Sequence, residues 1–124
     1  REGMHGDGGR GHGVYSGLIV DPADLVFDKY RYSCFIKAAV DLDDYFQKAG
    51  IDTLIVVGTV TNCCCESTAR DAAMLGYRVL FPSDANAAMT DEEHNAALLG
   101  LRICIADIAT TDDVLGRVTS PVAA

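Results

Sequence analysis

Residues Thr53–Ala73, TLIVVGTVTNCCCESTARDAA, decide the architecture. Thr53 to Val57 is apolar throughout and rich in β-branched side chains, as expected of a central parallel strand covered on both faces. Gly58 follows, and the stretch reads strand, tight turn, helix, which puts Asn62 to Cys65 at a helix start. A helix N-terminus leaves backbone N–H groups unpaired and carries partial positive charge, so it stabilises a thiolate over a thiol. A cysteine there is a candidate nucleophile. The triplet Cys63-Cys64-Cys65 also reads as small apolar residues packing a first turn onto a sheet, because free cysteine is commonly buried and inert. Spacing alone leaves both readings open.

Downstream, the helix from Asn62 to about Leu75 stops at Gly76, and Tyr77–Phe81 (YRVLF) supplies another strand. Residues 82–89 form a loop punctuated by Pro82 and Asp84. Thr90 then caps a helix that opens Thr-Asp-Glu-Glu, a capping-box arrangement with acids in the first turn. His94 falls within that helix and reads as a surface or packing residue. Arg102 to Ala106 is the last expected strand, and Thr111-Asp112-Asp113 opens a short closing helix.

Upstream, Ala38, Val40, Leu42, Tyr45, Phe46 and Ala49 fit one face of a helix over residues 38–49, with Gly50 as its stop. Leu25 to Phe27 reads as a short strand ending at Lys29, and Leu18 to Val20 as an extended piece broken by Asp21-Pro22. Alternation of strand and helix implies right-handed crossovers and a three-layer α/β/α fold with a mainly parallel sheet. Active sites in such sheets lie at the carboxyl ends of the strands, where Lys29 and Cys64 would both fall.

A chain of 124 residues, 49% hydrophobic and 23% charged, forms at most one domain. Its net charge of −8 comes from acids spread along the chain. Clustered Lys and Arg are what nucleic acids and anionic membranes require, so neither is expected as a partner. No stretch approaches the length of a transmembrane helix and the start is unlike a secretory signal, so the cytoplasm is the expected location. The five cysteines, Cys34, Cys63, Cys64, Cys65 and Cys104, are an odd set with three adjacent, which favours free thiols in a reducing compartment. Without a C-x-x-C pair or paired histidine spacing, neither zinc nor any other cofactor is expected. Residues 1–13 contain six glycines, so residues 1–14 are expected to be a flexible segment and 15–124 the folded part. His5, Asp7 and His12 read as part of that tail rather than as ligands.

Two strings carry a family resemblance. Gly58-Thr59-Val60-Thr61-Asn62-Cys63-Cys64-Cys65-Glu66-Ser67-Thr68-Ala69-Arg70-Asp71 resembles the nucleophile motif of the isochorismatase-like cysteine hydrolases, G-x-x-T-N-x-C-V-E-S-T-A-R-D. Upstream, Lys29-Tyr30-Arg31-Tyr32-Ser33-Cys34-Phe35 resembles the same family's K-x-R-Y-S-x-F. The resemblance spans roughly residues 18–118. It implies Cys64 as nucleophile and Lys29 as its catalytic partner, with Cys63 and Cys65 in positions usually held by small apolar residues. It further implies an oxyanion hole from the backbone N–H groups of Val60 and Cys64, a cis peptide between Thr59 and Val60, and substrate contacts at Thr61, Asn62 and Tyr32. Arg70 and Asp71 are expected in structural ion pairs.

The activity so implied is cleavage of a C–N bond in a small amide, ureido or carbamoyl compound through a covalent cysteine intermediate. Isochorismate stays within reach, while nicotinamide is disfavoured because no metal ligands accompany the motif. A homo-oligomer is expected from the family. The family's third catalytic group, an aspartate ending the first strand, has no counterpart here, since Asp7 follows no apolar run. The expectation is a partial domain that lacks its first strand and general base, is inactive alone, and carries an association-prone sheet edge. The other readings are a non-catalytic binding or assembly module and a thiol redox sensor built on Cys63 to Cys65.

Overall fold

The computed structural model describes residues 13–119. The glycine-rich start, with His5, Asp7 and His12, lies outside the described residues. Helix α1 (Leu42–Lys48) leads into strand β1 (Thr53–Ile55) and the short β2 (Gly58–Thr59). A π-helical turn, Thr61–Cys65, continues into α2 (Glu66–Met74), followed by β3 (Arg78–Pro82). After a 3₁₀ turn, Ser83–Ala85, come β4 (Asn86–Ala87), α3 (Asp91–Cys104), β5 (Asp107–Ala109) and α4 (Thr111–Thr119).

The main sheet is parallel in the order β1-β3-β5, with Leu54 opposite Val79 and Phe81 opposite Ile108. Successive parallel neighbours joined through α2 and α3 make this an α/β fold, as the alternation predicts. A second parallel pair, β2 and β4, sets Gly58 against Asn86 and Thr59 against Ala87. The core consists of Val56, Cys65, Ala69, Ala72, Tyr77, Val79, Phe81 and Leu101, with Phe81 and Leu101 fully buried. Val79 and Phe81 are two residues apart and share a sheet face. The alanines of α2 let that helix lie close against them.

The glycine stop after α2 is real and can be traced to its hydrogen bonds. Gly76 has φ +96°, its N–H reaches Ala73 O at 3.1 Å, and Tyr77 N reaches Ala72 O at 3.0 Å. That is a Schellman ending, which settles otherwise orphaned carbonyls. Gly50 and Ile51 close α1 with the same pair of bonds, to Gln47 O and Phe46 O. Thr90 caps α3 as read, its hydroxyl accepting from Glu93 N at 3.2 Å.

Several expected elements differ. The first helix begins at Leu42, not Ala38, because the Asp41 carboxylate accepts from Asp44 N and so ends the helix there, while Lys37 sits at φ +49°. Arg102 to Ala106 is not a strand. Ala97 and Leu101 are buried one turn apart, and that stripe carries α3 on to Cys104. The N–H groups of Ile105 and Ala106 both return to Leu101 O, so β5 starts only at Asp107. Leu18–Val20 and Leu25–Phe27 form no strand, having no ladder partner among the described residues, and Leu25 and Val26 are exposed. Strand β1 is an edge of the described sheet rather than its centre: Ile55 is 45% and Val57 57% exposed.

Tyr77 joins α1 to the sheet. Its ring stacks on Phe35 at 6.1 Å and meets Phe46 edge-on at 5.9 Å, and its hydroxyl donates to Asp43 Oδ1 at 2.6 Å. The bond to Asp43, aided by burial and the carboxylate's charge, pushes the phenol up to about 12.

Two predictions follow from this packing. Gly76→Ala should cost about 1–2 kcal/mol, because a Cβ is penalised in the left-handed region even where space is open. Gly116→Ala, inside α4 and equally uncrowded, should instead gain about 0.5–1 kcal/mol. Urea midpoints for the two variants should therefore move in opposite directions. For Tyr77, the fold favours the neutral phenol, so its contribution is complete below the ordinary phenol value of about 10. It is lost as pH rises from there to about 12, and wild type should lose stability over that window more steeply than Tyr77→Phe.

Candidate active site

The site is built where the sheet gives way to α2. After β1, Val56 N still bonds Leu80 O at 3.0 Å, and Asn86 ties the two strand ends together. Its buried amide donates to Val56 O at 3.1 Å and to Pro82 O at 2.7 Å. Gly58 takes φ +123°, which side chains rarely adopt, and the Thr59–Val60 peptide is cis, as the resemblance implies. Val60 O then accepts from Cys63 N at 3.0 Å and from Cys65 N at 3.3 Å. The second of these bonds, which spans five residues, makes the first turn π-helical rather than α-helical.

Thr61 opens that turn and is fully buried, with its Oγ1 2.9 Å from His94 Nδ1 in the first turn of α3. This bond is the one contribution to the site that composition and periodicity missed. A histidine near a helix start carries no signal of its own, and only the crossover of α3 brings it back beneath the cysteines. With its hydroxyl turned to His94 and no exposed surface, Thr61 supports the turn. Asn62 is exposed, and Tyr32 is 61% exposed.

One turn gives its three cysteines different surroundings. Cys65 is buried in the core, and burial, with the neighbouring Cys64 and Cys34, pushes its thiol up to about 11. Cys63 is half-buried and also raised, by burial first and then by the neighbouring Cys64. Cys64, between them, is partly exposed. The positive charge of Lys29 pulls the other way on both Cys63 and Cys65, so the ammonium lies within electrostatic reach of the turn.

The segment carrying Lys29 is pinned to α2 by named contacts. Cys34 N donates to Thr68 Oγ1 at 3.2 Å, Phe35 N donates to Ser33 Oγ at 3.2 Å, and the Phe35 ring joins the core aromatics. Lys29 Nζ donates to Arg31 O at 3.0 Å and Tyr32 O at 3.4 Å, which curls the segment. Arg70 pairs with Glu66 at 2.7 Å one turn along α2, the structural role expected of it. Among the described residues, no group of three or more His, Cys, Asp or Glu side chains is arranged to hold a metal ion. An open recess of about 390 Å³ lies elsewhere, at the opposite ends of β3 and β5 between Tyr77, Arg78, Arg102 and Asp107, and contains none of these residues.

Known proteins resemble this arrangement. The isochorismatase domain profile matches residues 2–113. Nicotinamidase 3 of Arabidopsis thaliana is 38% identical over 96 residues, covering 77% of this chain and 47% of that protein. The ureidoacrylate amidohydrolase RutB of Enterobacter sp. (strain 638) is 33% identical over 115 residues, covering 92% of this chain and 49% of its own. Among solved structures, an isochorismatase-like hydrolase from Alkaliphilus metalliredigens superposes with a TM-score of 0.80 at 34% identity, covering 86% of this chain and 58% of that one. The chain thus spans about half the length of the curated relatives it matches.

The Thr61–His94 bond generates a test. Thr61→Val removes the hydroxyl at nearly constant volume and leaves the imidazole Nδ1 unpartnered, an expected loss of about 1–3 kcal/mol in urea unfolding. Thr61→Ser, which keeps the hydroxyl, should leave the His94 imidazole resonances at their wild-type positions, whereas Thr61→Val should shift them.

Proposed function

The chain belongs to the isochorismatase family, and on that premise we propose that it supplies the nucleophilic part of a cysteine hydrolase acting on a C–N bond of a small amide, ureido or carbamoyl compound. Cys64 Sγ attacks the carbonyl carbon, the C–N bond breaks, the amine leaves with the proton the thiol gave up, and the acyl group stays on sulfur as a thioester. Backbone N–H groups of Val60 and Cys64 are the proposed donors to the developing oxyanion, in fixed positions where such donors are worth most. Lys29 favours the thiolate by its charge. Asn62 and Tyr32, both accessible, are the proposed substrate contacts.

The observation that carries this reading is the convergence of two separate motifs. Lys29 and the cysteine turn are more than thirty positions apart in sequence, yet the charge of Lys29 acts on the thiols either side of Cys64. The hydrogen bond from Cys34 N to Thr68 Oγ1 at 3.2 Å ties the segment that carries this lysine to the cysteine-bearing helix. Relatives named for amide hydrolysis support the same chemistry. Nicotinamide, disfavoured on sequence for want of metal ligands, returns as a substrate to be tried because a named nicotinamidase is among those relatives.

Hydrolysing the thioester needs a base to activate water, and no described residue is assigned that role. The proposal therefore separates acylation, which this chain's residues can begin, from turnover, which needs a further carboxylate. Five free thiols support a reducing compartment as its setting, and no described helix is long and apolar enough to cross a membrane. Exposed Ile55 and Val57, beside the side of β1 that pairs with no strand among the described residues, support self-association.

The test is peptide mass mapping after incubation with nicotinamide, ureidoacrylate and simple carbamoyl amino acids. An acyl adduct is expected on Cys64, lost in Cys64→Ala and largely retained in Cys63→Ala, without sustained ammonia release from this chain alone. An adduct confined to Cys63 would overturn the assignment of the nucleophile, and multiple turnovers would overturn the need for a further base.

A further inference from the structure

Helix α3 turns one side to the core and leaves the other uncovered. Ala97 and Leu101 are buried on the inner side, and Leu98 packs beside them. At about 100° per residue, Glu92, Ala96, Leu99 and Ile103 fall within about 60° of one another on the opposite side. All four are exposed, Leu99 at 67% and Ile103 at 82%. A surface helix ordinarily carries polar residues there, whereas a single exposed leucine needs no explanation. Here residues 94–101 (HNAALLGL) hold no Asp, Glu, Lys or Arg, so the outward stripe is apolar through its middle.

The two ends of the stripe differ in charge. Asp91, Glu92 and Glu93 occupy the first turn of α3, and Arg102 stands in the last. That order suits the helix dipole by itself. Joined to an apolar middle, it also makes the face complementary to a copy of itself. The copies must run antiparallel, since parallel ones would set acid against acid. Glu92 and Arg102 form no ion pair with another described residue, so neither charge is already matched within the chain.

We propose that this face is the contact of a two-fold homodimer, in which α3 lies antiparallel to α3 of a second copy. With the axis passing between residues 97 and 98, Ala96 faces Leu99 of the second copy. The small alanine gives that leucine a hollow and lets the helix axes approach to the usual distance of about 8–10 Å. At each end, Ile103 lies along the aliphatic stem of Glu92 of the second copy, whose carboxylate reaches Arg102. A two-fold contact is self-complementary, so each of these pairings occurs twice. The surface is separate from the unpaired side of β1 and requires nothing of the proposed hydrolysis.

Sedimentation equilibrium of the full 124-residue chain, from about 1 μM to about 1 mM, tests the contact. A reversible monomer–dimer equilibrium is expected. Leu99→Glu puts a charge at the centre of the interface on both copies and should weaken the dimer by about a hundredfold or more. Leu99 is mostly exposed, so its urea midpoint should stay near wild type. Glu92→Arg and Arg102→Glu should each weaken the dimer by about tenfold, and the double variant should regain near wild-type affinity, which damage to the fold would not produce. Added salt should weaken the wild-type dimer and strengthen the two single variants. Val57→Lys, beside the unpaired side of β1, should leave the dimer unchanged. A wild-type chain that stays monomeric throughout, a charge swap without recovery, or association lost in Val57→Lys but kept in Leu99→Glu would overturn the proposal.

Discussion

The hydrogen bond between Thr61 and His94 is the constraint on which the rest of this molecule turns. It joins the first residue of the cysteine turn to the first turn of α3, at a point with no access to solvent on the threonine side. A buried hydroxyl without a partner is costly, so the threonine holds α3 in place as much as α3 holds the threonine. The remaining supports converge on the same few ångströms. Asn86 ties the ends of β1 and β3 below the turn, and Val60 O gathers the N–H groups of Cys63 and Cys65 above it. A helix start that would fray in isolation is therefore fixed from three sides, which a chemical role at its tip requires.

What the sequence made legible was local in origin. Gly50 and Gly76 end helices because the Schellman bonds that follow require a left-handed residue, and Thr90 begins one because its hydroxyl meets Glu93 N. The motif residues could be placed since a strand, turn and helix leave a pattern within a short window. Apart from the start of α1, which the neighbouring Asp41 carboxylate sets, the errors concern features whose cause lies elsewhere in the chain. Ile103 and Ile105 have strand-like side chains, yet the burial of Ala97 and Leu101 keeps that segment helical to Cys104. Leu25 to Phe27 has the composition of a strand but no neighbour to pair with among the described residues. His94 could not be recognised, because its importance depends on a partner thirty-three positions away.

The aromatic contacts explain how the second motif reaches the first without any regular structure of its own. Residues 29–35 form neither strand nor helix, but Phe35 packs between Phe46 and Tyr77, and Cys34 is bonded to Thr68 on α2. Burial at one end of an irregular segment, with a hydrogen bond to a helix, restricts the other end nearly as well as a ladder would. Lys29 can then curl over the carbonyls of Arg31 and Tyr32, and its charge acts on the thiol of Cys63.

Position along a single turn is enough to divide three identical side chains into different chemical species. A π-helical first turn spreads successive residues around the axis, so Cys65 faces the sheet, while Cys63 and Cys64 stay at the surface. Burial raises the thiol of Cys65 to about 11, where at neutral pH it is a packing group and nothing more. Cys63 is also raised, by burial first, while its side chain keeps partial access to solvent.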